Sequence, residues 1–159
     1  MADAKQMQLA KDTFATMCRM LDNNDWNYKK DEENLTVECG ARGEDLPMEL
    51  HIRVDADRQV ISVISMLPVT FAEDKRIDGA VAATMINYQI KNGFFDYDMA
   101  EGHVFFRLPN SFQGSLLSEA AMHYLVMVSC GTIDEYNDKL LMLAKGMISI
   151  EQFMESINQ

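Results

Sequence analysis

Two consecutive stretches alternate with a period of two, and this limits the fold more than any other feature of the chain. In "LTVECGAR" Leu35, Val37, Cys39 and Ala41 alternate with Thr36, Glu38, Gly40 and Arg42. In "MELHIRVD" Met48, Leu50, Ile52 and Val54 alternate with Glu49, His51, Arg53 and Asp55. Successive side chains of a strand point to opposite faces, so both stretches read as strands with one dry face. "GEDLP" (43–47) and "ADRQ" (56–59) carry turn residues between strands. The segment "VISVISMLP" (60–68) is apolar on both parities apart from two serines, which predicts a strand covered on both faces. "WNYKK" predicts a further edge strand whose lysines discourage intermolecular pairing.

A sheet with a dry face needs helices to cover it, and the flanking segments supply them. Residues 4–23 place Met7, Ala10, Phe14, Met17, Cys18 and Leu21 at steps of three and four, with Asp3 positioned to cap the start. From Glu73 to Lys91 the apolar residues return to helical spacing as Ile77, Val81, Met85 and Tyr88. Ala80, Ala82, Ala83, Ile86 and Ile90 spread over the other sides. Few sides of this helix look wet, so it must contact the sheet and something more, another helix or a second subunit. Asn92-Gly93 stops it. Residues 116–145 predict a long helix with Leu117, Ala121, Tyr124, Leu125, Val128, Tyr136, Leu140 and Leu143 as its inward stripe. Gly131 interrupts the pattern, and Thr132 with Glu135 has the spacing of a capping box that can restart a helix. Ser149 with Gln152 opens a short last helix, 149–157, carrying Ile150, Phe153, Met154 and Ile157.

"DYDMAEGHVFFRLP" (96–109) concentrates two aspartates, a glutamate and a histidine. A calcium loop from Asp96 requires glycine at its sixth position and a carboxylate at its twelfth, where Glu101 and Arg107 stand. A hairpin with "MAEG" as its loop accounts for the stretch better. It sets Asp98 opposite His103, Tyr97 opposite Val104, Asp96 opposite Phe105 and Phe95 opposite Phe106, with Asp98 and His103 as a cross-strand pair. That register sorts Phe95, Tyr97, Val104, Phe106 and Leu108 onto one face, and a shift of one residue mixes the faces. The order α-β-β-β(β)-α-β-β-α, followed by a short C-terminal helix, predicts an α+β fold on an antiparallel sheet. The length of 159 residues suits one domain, 1–159, with its core at about 22–145.

The formal net charge is −11 and the only adjacent basic pairs are Lys29-Lys30 and Lys75-Arg76, so neither nucleic acid nor an anionic membrane surface is an expected partner. No apolar run reaches signal-peptide or membrane-span length, which predicts a cytoplasmic protein. Cys18, Cys39 and Cys130 are widely spaced without C-x-x-C and read as reduced, buried thiols. His123 and Cys130 share a helix face, but the apolar neighbours Val126, Met127 and Val128 raise a thiol pKa rather than lower it. His51 lies on the polar parity of its strand with no nearby nucleophile. No phosphate-cradling loop, nucleophile elbow or zincin motif occurs, so no catalytic residue, metal ligand or cofactor is assigned. Most of the 13 methionines read as core; Met85, Met99, Met122 and Met127 fall beside the apolar stripes and, with Val81 and Ile86, are the expected protein-binding or dimer surface.

"MINYQIKNGFFDYDMAEGHVFFRLP" (85–109) followed by "TIDEY" (132–136) resembles the bacterial YbjN family. A helix ends in an Asn-rich turn and Gly-Phe, an acidic alternating strand leads through a tight turn into an aromatic strand, and the long helix carries Thr-x-Asp-x-Tyr. Glu101-Gly102 stands where Asp-Gly is more typical. The family is similar in fold to type III secretion chaperones. The resemblance therefore implies a homodimeric protein-binding module with chaperone-like or regulatory roles such as sensory transduction, and no catalytic residues to carry over. The alternative is a small-molecule sensor or enzyme with a pocket between sheet and helices, anchored by His51 or His123.

Overall fold

The dry faces of the alternating stretches meet in one sheet. The computed structural model describes residues 1–158. Helix α1 (Ala4–Asn23) leads into strands β1 (Tyr28–Asp31), β2 (Thr36–Arg42), β3 (Pro47–Asp55) and β4 (Val60–Thr70). A 3-10 turn (Glu73–Lys75) opens α2 (Arg76–Gln89), followed by β5 (Phe94–Tyr97), β6 (His103–Ser111), α3 (Glu119–Ala144) and α4 (Ile150–Ile157). The six strands pair antiparallel in the order β1-β2-β3-β4-β6-β5. The α+β class, the element order and the capping boxes at Asp3 and Ser149 follow the sequence expectation.

On β2 and β3 the buried residues are Val37, Cys39, Met48, Leu50, Ile52 and Val54, the parity that the alternation selects. The hairpin register is also as read: Phe95 faces Phe106, Asp96 faces Phe105 and Tyr97 faces Val104. One hydrophobic cluster runs from Ala10 to Ile157 and joins the inner sheet face to all four helices. Buried Gln59 ties the β3–β4 turn to α1, donating to the carbonyls of Gln6 (3.1 Å) and Ala56 (2.6 Å). Asp134 on α3 accepts from the Glu44 N–H (3.0 Å) and docks the β2–β3 turn.

Three expectations need correction. Strand β4 is covered on one face only: Ile61, Val63, Leu67 and Val69 are buried, while Ser62 and Ile64 are half-buried and Met66 is exposed. Its outer parity is apolar without a helix over it, because α1, α2 and α3 all lie on the other side of the sheet. Helix α3 runs unbroken through Gly131, the single long helix read from the sequence, and no helix restarts at Thr132. Of its expected inward stripe Leu125, Tyr136, Leu140 and Leu143 are buried, but the stripe is rotated in part: Met122, Val126, Ser129, Ile133 and Asn137 are buried as well, and Tyr124 is exposed. At the start of the chain Met7 is exposed, whereas Thr13, Thr16 and Met20 join the buried face of α1.

Two glycines separate propensity from packing. Gly131 is exposed in mid-helix and a Cβ there meets nothing within 4 Å. Gly102 has φ +76°, and a Cβ there falls 2.1 Å from the Phe71 carbonyl oxygen. Gly131→Ala is expected to raise unfolding stability by about 0.5–1 kcal/mol. Gly102→Ala is expected to lower it by roughly 2 kcal/mol or more, since backbone strain and overlap add. Urea denaturation of the two variants beside the parent checks both signs.

A candidate protein-binding face on helix α2

Helix α2 is built with its small residues inward. Gly79, Ala82, Ala83 and Ile86 are buried. The ring of Tyr97 lies so close to Gly79 that an added Cβ falls 2.6 Å from the phenol oxygen. Asn87 completes the attachment: its Oδ1 accepts from the Phe95 N–H (2.7 Å) and its Nδ2 donates to the Phe95 carbonyl (3.0 Å). The amide thus satisfies backbone groups on edge strand β5 that would otherwise be open to another chain.

The large residues consequently face outward. Ile77 is 72% exposed, Val81 41% and Tyr88 92%, at helical steps that put them on one stripe with Thr84. The apolar spacing of Ile77, Val81, Met85 and Tyr88 was legible, but it marks the side turned away from the core. Ile77, Ala80, Val81, Thr84 and Met85 line a hollow of ≈310 Å³, and Met99, 52% exposed at the hairpin tip, forms its far wall. Among the described residues no charged side chain lines it.

Of the six expected surface residues, Val81, Met85 and Met99 come together here. Met127 is exposed on α3 and does not line the hollow. Ile86 and Met122 are 0% exposed and belong to the core, which corrects their assignment to a surface. Ile86 shares the inward face with Ala82 and Ala83, and Met122 begins the rotated stripe of α3. Ile77 and Tyr88 are the members missing from that expectation. Their large apolar side chains beside inward Gly and Ala were the available signal.

The other candidates divide among structural duties. In the hairpin, Asp96 pairs with Arg107 at 2.8 Å across the strands. Asp98 accepts from the N–H groups of Ala100 (2.8 Å) and Glu101 (3.3 Å), so it caps the turn. It meets His103 only through the backbone, where the Asp98 N–H donates to the His103 carbonyl at 2.9 Å. The His103 ring instead meets Phe105 edge-on at 6.4 Å. Among the described residues no three His, Cys, Asp or Glu side chains gather as a metal site.

His51 stands on the sheet face turned away from the helices. Its Nδ1 is 3.6 Å from Glu38, and both line an open hollow of ≈490 Å³ with Lys29 and Glu49. His123 is exposed on α3. Burial pushes the Cys39 thiol up to about 11 and the Cys130 thiol up to about 11, the latter helped by Asp134; burial also raises Cys18. All three thiols are therefore held protonated near neutral pH.

A raised thiol pKa favours the protonated form in the folded state. Its stabilising effect is full below the unfolded value of about 8.5 and is lost as pH rises toward 11. Native protein at pH 8 is expected to react far more slowly with an aromatic disulfide reagent than protein in urea. Unfolding midpoints should fall between pH 8.5 and 11. Rapid labelling of native Cys39 would contradict this.

No family model matches the chain, and no curated protein matches it in sequence. Solved structures do. The chain is similar to the crystal structure of YbjN from E. coli, with a TM-score of 0.58 and 12% identity over 84% of this chain and 92% of that one. It is equally similar to a chain of the HopA1–SchA chaperone–effector complex, with a TM-score of 0.58 and 11% identity over 87% and 99%. No helix among the described residues is long and apolar enough to cross a membrane. At such identities the likeness is one of fold: the chain has the YbjN-like, secretion-chaperone-like α+β fold that its hairpin and helix motifs led us to expect.

Proposed function

We propose that this chain is a non-enzymatic, cytoplasmic protein-binding module, one domain over 1–159, with a chaperone-like or regulatory role such as sensory transduction, and that it works as a homodimer. The observation that carries this reading is the dry outward stripe of α2 with its hollow. The fold shared with a chaperone–effector complex supports a polypeptide as the partner. Val81, Met85 and Met99 are the residues of the binding face, joined by Ile77 and Tyr88.

Energetics favour a contact that covers the stripe as a whole. Fully burying one large apolar side chain contributes roughly 1.5–3 kcal/mol. Association costs about 4–15 kcal/mol in lost freedom, so a single anchored side chain does not suffice. Two-fold pairing buries every member of the stripe twice, which makes a second copy the most economical cover. A partner polypeptide is then held on the remaining apolar surface, of which the outer parity of β4 and β6, with Ile64, Met66 and Phe105, is one part.

The test separates interface from core. Val81→Asp places a charge on the stripe without entering the core, and is expected to give a folded monomer whose stability is within about 0.5 kcal/mol of the parent's when both are measured at concentrations where the parent is dissociated. Ile86→Asp buries an unpaired carboxylate and is expected to unfold the protein, at a cost of several kcal/mol. Light scattering gives the oligomeric state and thermal unfolding the stability. A Val81→Asp protein that folds and stays dimeric would remove α2 from the interface.

A further inference from the structure

The geometry points to Tyr88 as the residue that sets the pairing. We propose that two copies meet antiparallel through α2, with Tyr88 of each seated in the partner's hollow beside Ala80 and Met99. This rests on the dimer reading above and goes further by naming the anchor and the register.

Tyr88 is the most exposed aromatic side chain of the described residues, 92% exposed, at the C-terminal end of the stripe. The hollow lies about two turns toward the N-terminus on the same face, where Ala80 is too small to fill the space between Ile77, Val81 and Met99. A projection and a recess displaced along one helix face are complementary to each other in a second copy turned by a two-fold axis midway between them. With the hollow centred at Ala80, that axis passes Thr84. Thr84 can be buried there without an orphaned hydroxyl, since it already donates to the Ala80 carbonyl at 2.9 Å.

Charge chooses the direction. Glu73, Asp74 and Asp78 cluster at the N-terminal end of α2, whereas residues 79–93 contain no carboxylate and one lysine, Lys91. Lys75 and Arg76 stand among these carboxylates, so residues 73–78 (three acidic, two basic) carry a formal charge of −1 against +1 for residues 79–93. Antiparallel pairing brings the acidic end of one copy to the Lys91 end of the other. Parallel pairing sets the two net-negative ends side by side and the two Lys91 ends likewise. The same asymmetry complements the helix dipoles.

Sedimentation equilibrium is run on the parent, Tyr88→Ala, Tyr88→Phe and Val81→Asp, with thermal unfolding recorded on each. The expected result is that Tyr88→Ala weakens the dimer at least tenfold, that Tyr88→Phe restores it to within about threefold because the ring fills the hollow, and that none of the three moves the unfolding of the monomer. Thr84→Cys is expected to cross-link into a covalent dimer with a short bismaleimide, and the parent is not. If Val81→Asp is monomeric while Tyr88→Ala still dimerises, or Thr84→Cys fails to cross-link, the Tyr88 register is overturned and the α2 dimer survives. A parent chain that is monomeric at every concentration overturns both.

Discussion

The contact on which the rest of the arrangement depends is the approach of Tyr97 to Gly79. Any side chain at position 79 occupies the space of the phenol ring, so α2 lies close to the hairpin only because nothing projects from it there. The amide of Asn87 holds the other end of the helix to Phe95. Between these two points the inward positions admit only alanine and one isoleucine, and the large apolar residues of the segment are left on the outside. The hollow, its Met99 wall and the exposure of Tyr88 all follow from how near the helix sits to the edge of the sheet.

How much of this could be read in the sequence depended on the period of each signal. A strand repeats every two residues, and an error of one position exposes every dry side chain. The parity of Val37, Cys39, Leu50 and Ile52 and the pairing of Phe95 with Phe106 were therefore legible in full. Helix α2 carries apolar residues on all sides, so spacing identified a stripe but not which stripe faced inward. Side-chain size decides that, through Gly79. In α3 the apolar residues again allow two overlapping stripes, and Ser129 and Asn137 sit on the buried one. Gly131 did not break the helix because packing on both sides of it outweighs a local cost of about 1 kcal/mol. The outer face of β4 misled for another reason: Ile64 and Met66 are apolar without being covered, and no pattern in one sequence distinguishes a covered face from an uncovered one.

The likeness to YbjN and to a chain of a chaperone–effector complex at 11–12% identity has the same explanation. The fold demands an alternation on each strand, a stripe on each helix and a close approach between α2 and the hairpin. Each demand can be met by many residues. The side chains that those demands leave free are here the outward residues of α2 and the half-open face of the sheet.

The strand order carries a consequence for how the molecule is made. Strand β5 precedes β6 in the chain but pairs with nothing except β6, which itself must reach back to β4. The wall against which α2 packs therefore cannot exist until the chain has been extended through Ser111 and β6 has closed a long loop onto β4. During synthesis the first four strands can assemble while α2, with both its small and its large faces bare, waits for the segment that follows it. The stripe thus takes its final form, with the hollow walled by Met99, only late in folding.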